Sequence, residues 1–341
     1  FAEMTIDITQ GQMAPTPIAV TPLYGATTTS VEVGRKISAV ITANLERSGL
    51  FKPVDEKAFV QTMASLEKGP KFSEWRLINT YILMQGRVTE DKGHIRVEFK
   101  LFDIATEKQM EGWALKGTLD EWRRMAHKIS DVIYKRVTGE SGYFDTKIVY
   151  VSKVGPKGRA VSRLVIMDQD GFNPLYLTSG QSLVTSPRFS PNLHQITYLD
   201  FVNNKPRVWL MNTNTQKKEL VGNFPGMTFA PRFSPNGKEM VMSLAKDGQT
   251  SLYSITLASK EVKRLTREPV IDTSPSYSPD GTKICFNSDR AGRTQIYIMD
   301  KEGGSPTRIS YGQGSYRSPI WSPRGDLIAF VKITGGTFYL G

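Results

Sequence analysis

Three histidines, one cysteine and a short acidic run are the residues of this chain with the most evident capacity for chemistry. His94, His127 and His194 could ligate a metal or exchange protons, Cys285 could act as a nucleophile, and Asp168-Gln169-Asp170-Gly171 has the look of half a calcium loop. None of them completes the pattern its chemistry needs. The histidines are 33 and 67 residues apart and no Cys-x-x-Cys accompanies them, so a metal site has no framework in the sequence. The acidic run lacks a suitably spaced glutamate and falls where a hairpin turn is expected, so it reads as a turn. Gly-x-Ser-x-Gly, Gly-x-x-x-x-Gly-Lys, Gly-x-Gly-x-x-Gly and His-Glu-x-x-His are absent. No catalytic residue, metal ligand or cofactor is expected. Carboxylates are plentiful, so acid–base catalysis by a convergent pair is disfavoured rather than excluded.

Composition narrows the class further. The chain has 341 residues, 39% of them hydrophobic and 23% charged, which excludes a disordered or collagenous protein and suggests about two domains. Its apolar runs are far too short to span a bilayer. A lone cysteine forms no internal disulfide and leaves reducing and oxidising compartments both open, and a start at Phe1 fits a processed secreted protein or a trimmed chain. The net charge of +11 is unevenly placed. Residues 1–143 carry 19 basic and 18 acidic side chains, whereas residues 144–341 carry 25 and 15. Such a field attracts an acidic protein, an anionic surface or nucleic acid, although no nucleic-acid motif is present and none is expected to bind.

The basic half is a tandem repeat. Ser186-Pro-Arg-Phe-Ser-Pro191, Ala230-Pro-Arg-Phe-Ser-Pro235, Ser274-Pro-Ser-Tyr-Ser-Pro279 and Ser318-Pro-Ile-Trp-Ser-Pro323 recur at intervals of 44 residues. The same spacing relates Val165, Trp209, Tyr253 and Tyr297, and again Ile196, Met240, Ile284 and Ile328. Ser-Pro-Asn/Asp-Gly presets a tight turn through proline and accommodates it through glycine, and alternating apolar residues on either side read as strands. Each unit supplies four short strands, which is the period and strand count of a propeller blade. Phe189, Phe233, Tyr277 and Trp321 are expected to pack between blades, and Met167, Met211 and Met299 to fill their cores. Blade one lacks a leading strand, and the chain stops inside blade five. Closure of six blades would take roughly 80 to 90 further residues, so a missing carboxyl-terminal part is expected.

Residues 1–140 have a different rhythm. Val33, Ile37, Val40, Ile41 and Leu45 line one face of a helix over 31–45, and Trp122, Met125, Ile129, Val132, Ile133 and Val137 line one over 119–137 that stops at Gly139. Strand-like runs at 17–21, 80–89, 94–105 and 108–117 complete an α/β domain with a mixed sheet and two helices. The expected organisation is this domain over 1–140, then an all-β propeller over 141–341 comprising blades one to four and the start of a fifth.

An α/β domain followed by Ser-Pro-x-aromatic-Ser-Pro-Asp/Asn-Gly blades, with Ser288-Asp-Arg-Ala-Gly292 and Gly303-Gly-x-Pro-x-Arg-Ile309, resembles the TolB family over essentially the whole chain. The blade motif alone is shared with other propellers, including the gating domains of prolyl oligopeptidases, so the domain order and Ser288–Gly292 carry the specificity. The resemblance implies a six-bladed, non-enzymatic, monomeric adaptor in the periplasm of a Gram-negative bacterium. Such a protein belongs to the Tol-Pal system, which supports outer-membrane integrity and envelope constriction during cell division. It further implies that the lipoprotein Pal binds at the mouth of the propeller channel, a site that colicin translocation domains can mimic during colicin import. On this sequence that site falls at Thr185, Met227, Thr228, Ala230, Thr273 and Arg317. The family commonly has a histidine where Met227 stands. The carboxyl-terminal domain of TolA would bind the extreme amino-terminal segment, here Met4, Thr5, Ile6, Asp7 and Ile8. That segment alternates apolar and polar residues and could add to a sheet edge, or dock permanently on its own domain. The competing readings are a propeller gate of a peptidase or other hydrolase, which predicts a hydrolase domain after Gly341, and a carbohydrate-active propeller, which predicts carboxylates converging in the channel.

Overall fold

Thr27 starts the first long helix because it and Ser30 satisfy each other. Ser30 N–H donates to Thr27 Oγ1 at 3.1 Å, and Thr27 N–H donates to Ser30 Oγ at 2.9 Å, which closes a capping box. The helix, α1 (Thr28–Arg47), buries Val33, Ile37, Val40, Ile41 and Leu45. The last long helix of this part, α4 (Trp122–Thr138), is entered through a 3₁₀ turn at Leu119–Glu121 and ends on Gly139, whose φ of 79° is readily adopted by glycine. Both helices cover one face of a sheet ordered β3 (Phe51–Pro53), β1 (Thr16–Val20), β4 (Ile82–Asp91), β5 (His94–Asp103) and β6 (Lys108–Thr118), with β2 (Tyr24–Gly25) beside β4. β1 pairs in parallel with β3 and β4, and β4, β5 and β6 pair antiparallel, so the sheet is mixed as expected.

Alternation along β1 decides which face each residue serves. Ile18 and Val20 join the core under α1 and α4, while Ala19 joins a second cluster with Leu83, Phe102 and Trp75 on the opposite face. That second cluster is covered by two short helices, α2 (Met63–Leu66) and α3 (Phe72–Leu77), which the sequence pattern did not predict. They lack the length to show a period. Their loop is organised by one side chain: Gln61 Oε1 accepts from Trp75 Nε1 at 3.0 Å and from Lys71 N–H at 2.9 Å, while its Nε2 donates to the Gly69 carbonyl at 2.8 Å.

The structure, a computed structural model, describes residues 14–341 apart from 157, 204, 223, 225 and 226. It divides into two units, the first running to Lys147 and including Asp168–Phe172, the second comprising Ile148–Met167 and Asn173–Gly341. The second unit is a propeller-like series of small antiparallel sheets. Blade one has three strands (Lys147–Val154, Val161–Asp168, Leu175–Tyr176). Blade two has four (Leu183–Phe189, Gln195–Val202, Lys205–Asn212, Lys218–Gly222), as do blade three (Met227–Phe233, Glu239–Lys246, Gln249–Thr256, Val262–Arg264) and blade four (Asp272–Tyr277, Lys283–Ser288, Gln295–Asp300, Thr307–Arg308). Blade five has three (Ser315–Trp321, Ile328–Thr334, Thr337–Leu340).

Blades are joined by apolar layers. Leu164 and Leu177 of blade one meet Val184, Ile196, Tyr198 and Met211 of blade two. Leu199, Val208 and Leu210 then meet Met240 and Met242 of blade three, and Val241 and Leu252 meet Tyr277, Ile284 and Phe286 of blade four. Phe189, Phe233 and Tyr277 lie in these layers as their phase predicted. A second junction repeats at the Ser-Pro turns. In blades three, four and five the turn glycine lies against the second proline of the blade before it: a Cβ on Gly237 would stand 3.6 Å from Pro191, one on Gly281 3.5 Å from Pro235, and one on Gly325 3.5 Å from Pro279. The turn serine holds its own loop, since Ser278 Oγ donates to Asp280 Oδ1 at 2.5 Å and accepts from Lys283 N–H at 2.9 Å. That serine bond, with Thr282 N–H, holds the Asp280 carboxyl at about 2.

Candidate interaction surface

The first strands of blades two to five are neighbours in sequence order, so they form the inner side of the wheel. Each contains the same irregularity, a register shift between Thr185 and Arg188, Phe229 and Arg232, Thr273 and Ser276, and Arg317 and Ile320. At the bulge Ser186, Ser274 and Ser318 adopt φ of 55°, 55° and 53°, a left-handed backbone uncommon for residues other than glycine. The bulge changes which way the chain faces. Thr185 is opposite Leu199 and Arg188 opposite Thr197, two residues apart on the partner strand, so both project from the same side of the sheet.

Thr185, Thr273 and Arg317 occupy one register position, with Thr185 and Thr273 half-buried and Arg317 exposed. Met227, Thr228 and Ala230 belong to the first strand of blade three, but their side chains lie outside the described residues, as do all of Met4, Thr5, Ile6, Asp7 and Ile8. The residue of blade three that shares the register of Thr185 and Thr273 is Phe229, opposite Ser243 and 37% exposed. The 44-residue period pointed to it, because Phe229 stands midway between Thr185 and Thr273, and sequence reasoning chose its neighbours instead. Just ahead of this row are Leu183, 46% exposed, and Ile271, 48% exposed, two periods apart. The beginnings of the inner strands thus present large apolar side chains to water beside threonines and an arginine, a composition suited to a partner surface.

The rim of blade four is braced from behind. Thr273 Oγ1 accepts from Asn287 Nδ2 at 2.6 Å, and Asn287 Oδ1 accepts from the Ser318 backbone N–H of blade five at 3.2 Å. Beside them Arg290 donates to both oxygens of fully buried Asp272 at 3.1 Å, donates to Ser288 Oγ at 2.9 Å, and lies 5.0 Å from the centre of the Tyr297 ring. The Ser288-Asp-Arg-Ala-Gly292 motif therefore fixes the residue immediately before Thr273 rather than offering a reactive group. Arg290 Nη2 alone reaches both carboxylate oxygens while Nε holds Ser288, so the guanidinium is fixed by two separate partners and the charge-assisted bonds hold Asp272 in place.

In the first unit, His127, Asp168 and Asp170 place one potential ligand atom each within 4.8 Å of one another, a cluster that the separation of the histidines had hidden. Its hydrogen bonding disfavours a metal. Asn44 Nδ2 donates to His127 Nδ1 at 2.9 Å, and the amide is held in that sense because Asn44 Oδ1 accepts from Arg47 Nη2 at 2.7 Å. Neutral His127 consequently carries its proton on Nε2, the atom 3.7 Å from Asp170 Oδ2. The carboxylates already have protein cations, Arg123 on Asp170 and Lys147 on Asp168. Burial lowers the pKa of His127, against the raising effect of Asp170 and Asp168. Elsewhere on this unit a cleft of about 510 Å³ is lined by Gln85, Arg87, Glu98, Lys100 and Trp113, with Arg87 and Glu98 paired at 2.5 Å. No helix among the described residues is long and apolar enough to cross a membrane.

Comparison with known proteins accounts for both units. Residues 4–110 match the TolB amino-terminal domain and residues 134–341 the TolB beta propeller domain. The chain belongs to the TolB family. It is 52% identical over 229 residues to a Tol-Pal system protein TolB of Paramagnetospirillum magneticum, a match covering 67% of this chain and 51% of the relative. A Tol-Pal system protein TolB of Pelagibacter ubique is 49% identical over 239 residues, covering 67% and 54%. The chain thus spans about half the length of these curated TolB relatives. The crystal structure of TolB from Acinetobacter baumannii superposes with a TM-score of 0.85 at 27% identity, covering 96% of this chain and 80% of that one.

Proposed function

We propose that this TolB-family protein is a non-enzymatic adaptor of the Tol-Pal system in the Gram-negative periplasm. It binds the lipoprotein Pal at the rim formed by the beginnings of the inner strands, and TolA through the segment Met4–Ile8. The observation that carries the reading is the exposed row of Leu183, Phe229 and Ile271 beside Thr185, Thr273 and Arg317. The names of the curated relatives support it. Large apolar residues surrounded by polar ones supply the anchors of a protein interface, and the braced backbone behind Thr273 reduces the ordering cost of binding. A colicin translocation domain with Pal-like chemistry would compete for the same rim.

Calorimetric titration of the full-length protein with soluble Pal tests this. One-to-one binding is expected, weakened about 100-fold by Thr273→Arg and about ten-fold or more by Phe229→Ala, with the circular dichroism of both variants unchanged. Absence of binding by folded protein, or wild-type affinity in both variants, rules out the rim as the Pal site. Deletion of residues 1–12 is expected to abolish capture of the TolA carboxyl-terminal domain while leaving Pal binding intact, and unchanged TolA affinity would remove that segment from the reading.

A further inference from the structure

Beyond the bulge, Arg188 and Arg232 occupy one register position, 44 residues apart on the neighbouring inner strands of blades two and three. The same position in blades four and five is Ser276 and Ile320, so this charge is confined to one arc of the inner side. Arg188 donates to the carbonyl of its own neighbour Pro187 at 2.7 Å. Among the described residues neither guanidinium meets a carboxylate.

The surroundings make that absence consequential. Arg232 is half-buried, and its burial, together with the nearby charge of Arg188, pulls its pKa down to about 10. The anionic group that could have answered it is Cys285, opposite Ser276, but burial pushes that thiol up to about 12, so it stays neutral. Thr197, directly opposite Arg188, is fully buried and its hydroxyl has no hydrogen-bond partner. Ser243, opposite Phe229 on the next blade, is in the same condition. Arg188 is exposed and Arg232 half-buried, so two like charges on adjacent inner strands lie beside two fully buried hydroxyls that have no partner, an arrangement that an anionic acceptor reached from solvent would relieve.

We propose that Arg188 and Arg232 form a binding site for a small tetrahedral oxyanion of the phosphate class on the inner side of the propeller, with the Thr197 hydroxyl as an additional donor. Planar guanidinia present paired N–H groups that match such an anion, and one multiply charged ligand removes the repulsion between them. The site is independent of Pal recognition, since it rests on residues beyond the bulge and requires no protein partner.

Titration of inorganic phosphate into the full-length protein at constant low ionic strength, followed by calorimetry and by thermal unfolding, is the test. Saturable one-to-one binding is expected, with affinity lowered about ten-fold by Arg188→Gln or Arg232→Gln and lost in the double variant. Phosphate should raise the melting temperature of the wild type only. Without phosphate, Arg232→Gln should melt no lower than wild type, because it removes a repelled charge. Arg267→Gln, which deletes an exposed charge elsewhere on the propeller, should bind as wild type does. No saturable binding by folded protein, undiminished binding in the double variant, or an equal loss in Arg267→Gln would each overturn the proposal.

Discussion

His127 is where a single side chain sets a pH response. Its pKa is lowered in the folded protein by burial, so as pH falls the unfolded chain takes up a proton first, near 6.5. Its contribution to stability is therefore complete above that value and lost as pH falls below it. Denaturant titrations from about pH 7.5 to pH 5.5 should show stability declining in the wild type and a flatter profile in His127→Gln. Asp131 acts in the opposite sense: burial raises its pKa, despite hydrogen bonds from the Phe144 and Asp145 N–H groups, so its protonation favours the folded state as pH falls further. Steeper loss in the variant would contradict the buried neutral histidine. None of this was legible in the sequence, where Asp168 and Asp170 lie more than 40 residues from His127 and only tertiary packing joins them. Phe229 differs, because the repeat itself carried the information.

Whole elements follow local rules that the sequence displays, except where a side chain overrides them. The apolar stripes of α1 and α4 and the Gly139 stop were readable, whereas α2 and α3 were not, because Gln61 rather than a periodic pattern organises that loop. Close approach of α1 to the connection between β1 and β2 depends on Gly34, where a Cβ would stand 2.3 Å from the Leu23 carbonyl oxygen. Gly34→Ala should cost about 1–3 kcal/mol of the first unit's stability by forcing the helix outward. In the second unit, Phe286 is fully buried between blades three and four, with its ring centre 6.1 Å from that of Tyr297. Phe286→Ala should cost about 3–5 kcal/mol. Chemical denaturation with a probe in each unit measures both, and an effect below about 1 kcal/mol for Phe286→Ala would mean that the interblade layer repacks with little loss.

For the whole molecule, charge and shape divide the work. The segment that carries 25 basic and 15 acidic residues includes the rim, so under the proposed adaptor role the field would steer encounter with an acidic partner and the apolar row would set residence time. Stopped-flow binding to Pal should show the association rate falling about ten-fold between roughly 50 and 500 mM salt, with dissociation changing about two-fold at most. A salt effect confined to dissociation would remove steering from the account. The contact between each turn glycine and the preceding blade's proline has a different kind of consequence. The three junctions from blade two to blade five use the same pair of groups, so a genetic event that copies or deletes one 44-residue unit among them keeps that contact at each remaining seam, whereas blade two has Leu193 where the turn glycine would stand. Blade number is then a heritable count, variable by recombination between repeats, and curvature rather than interface chemistry decides which counts close into a ring.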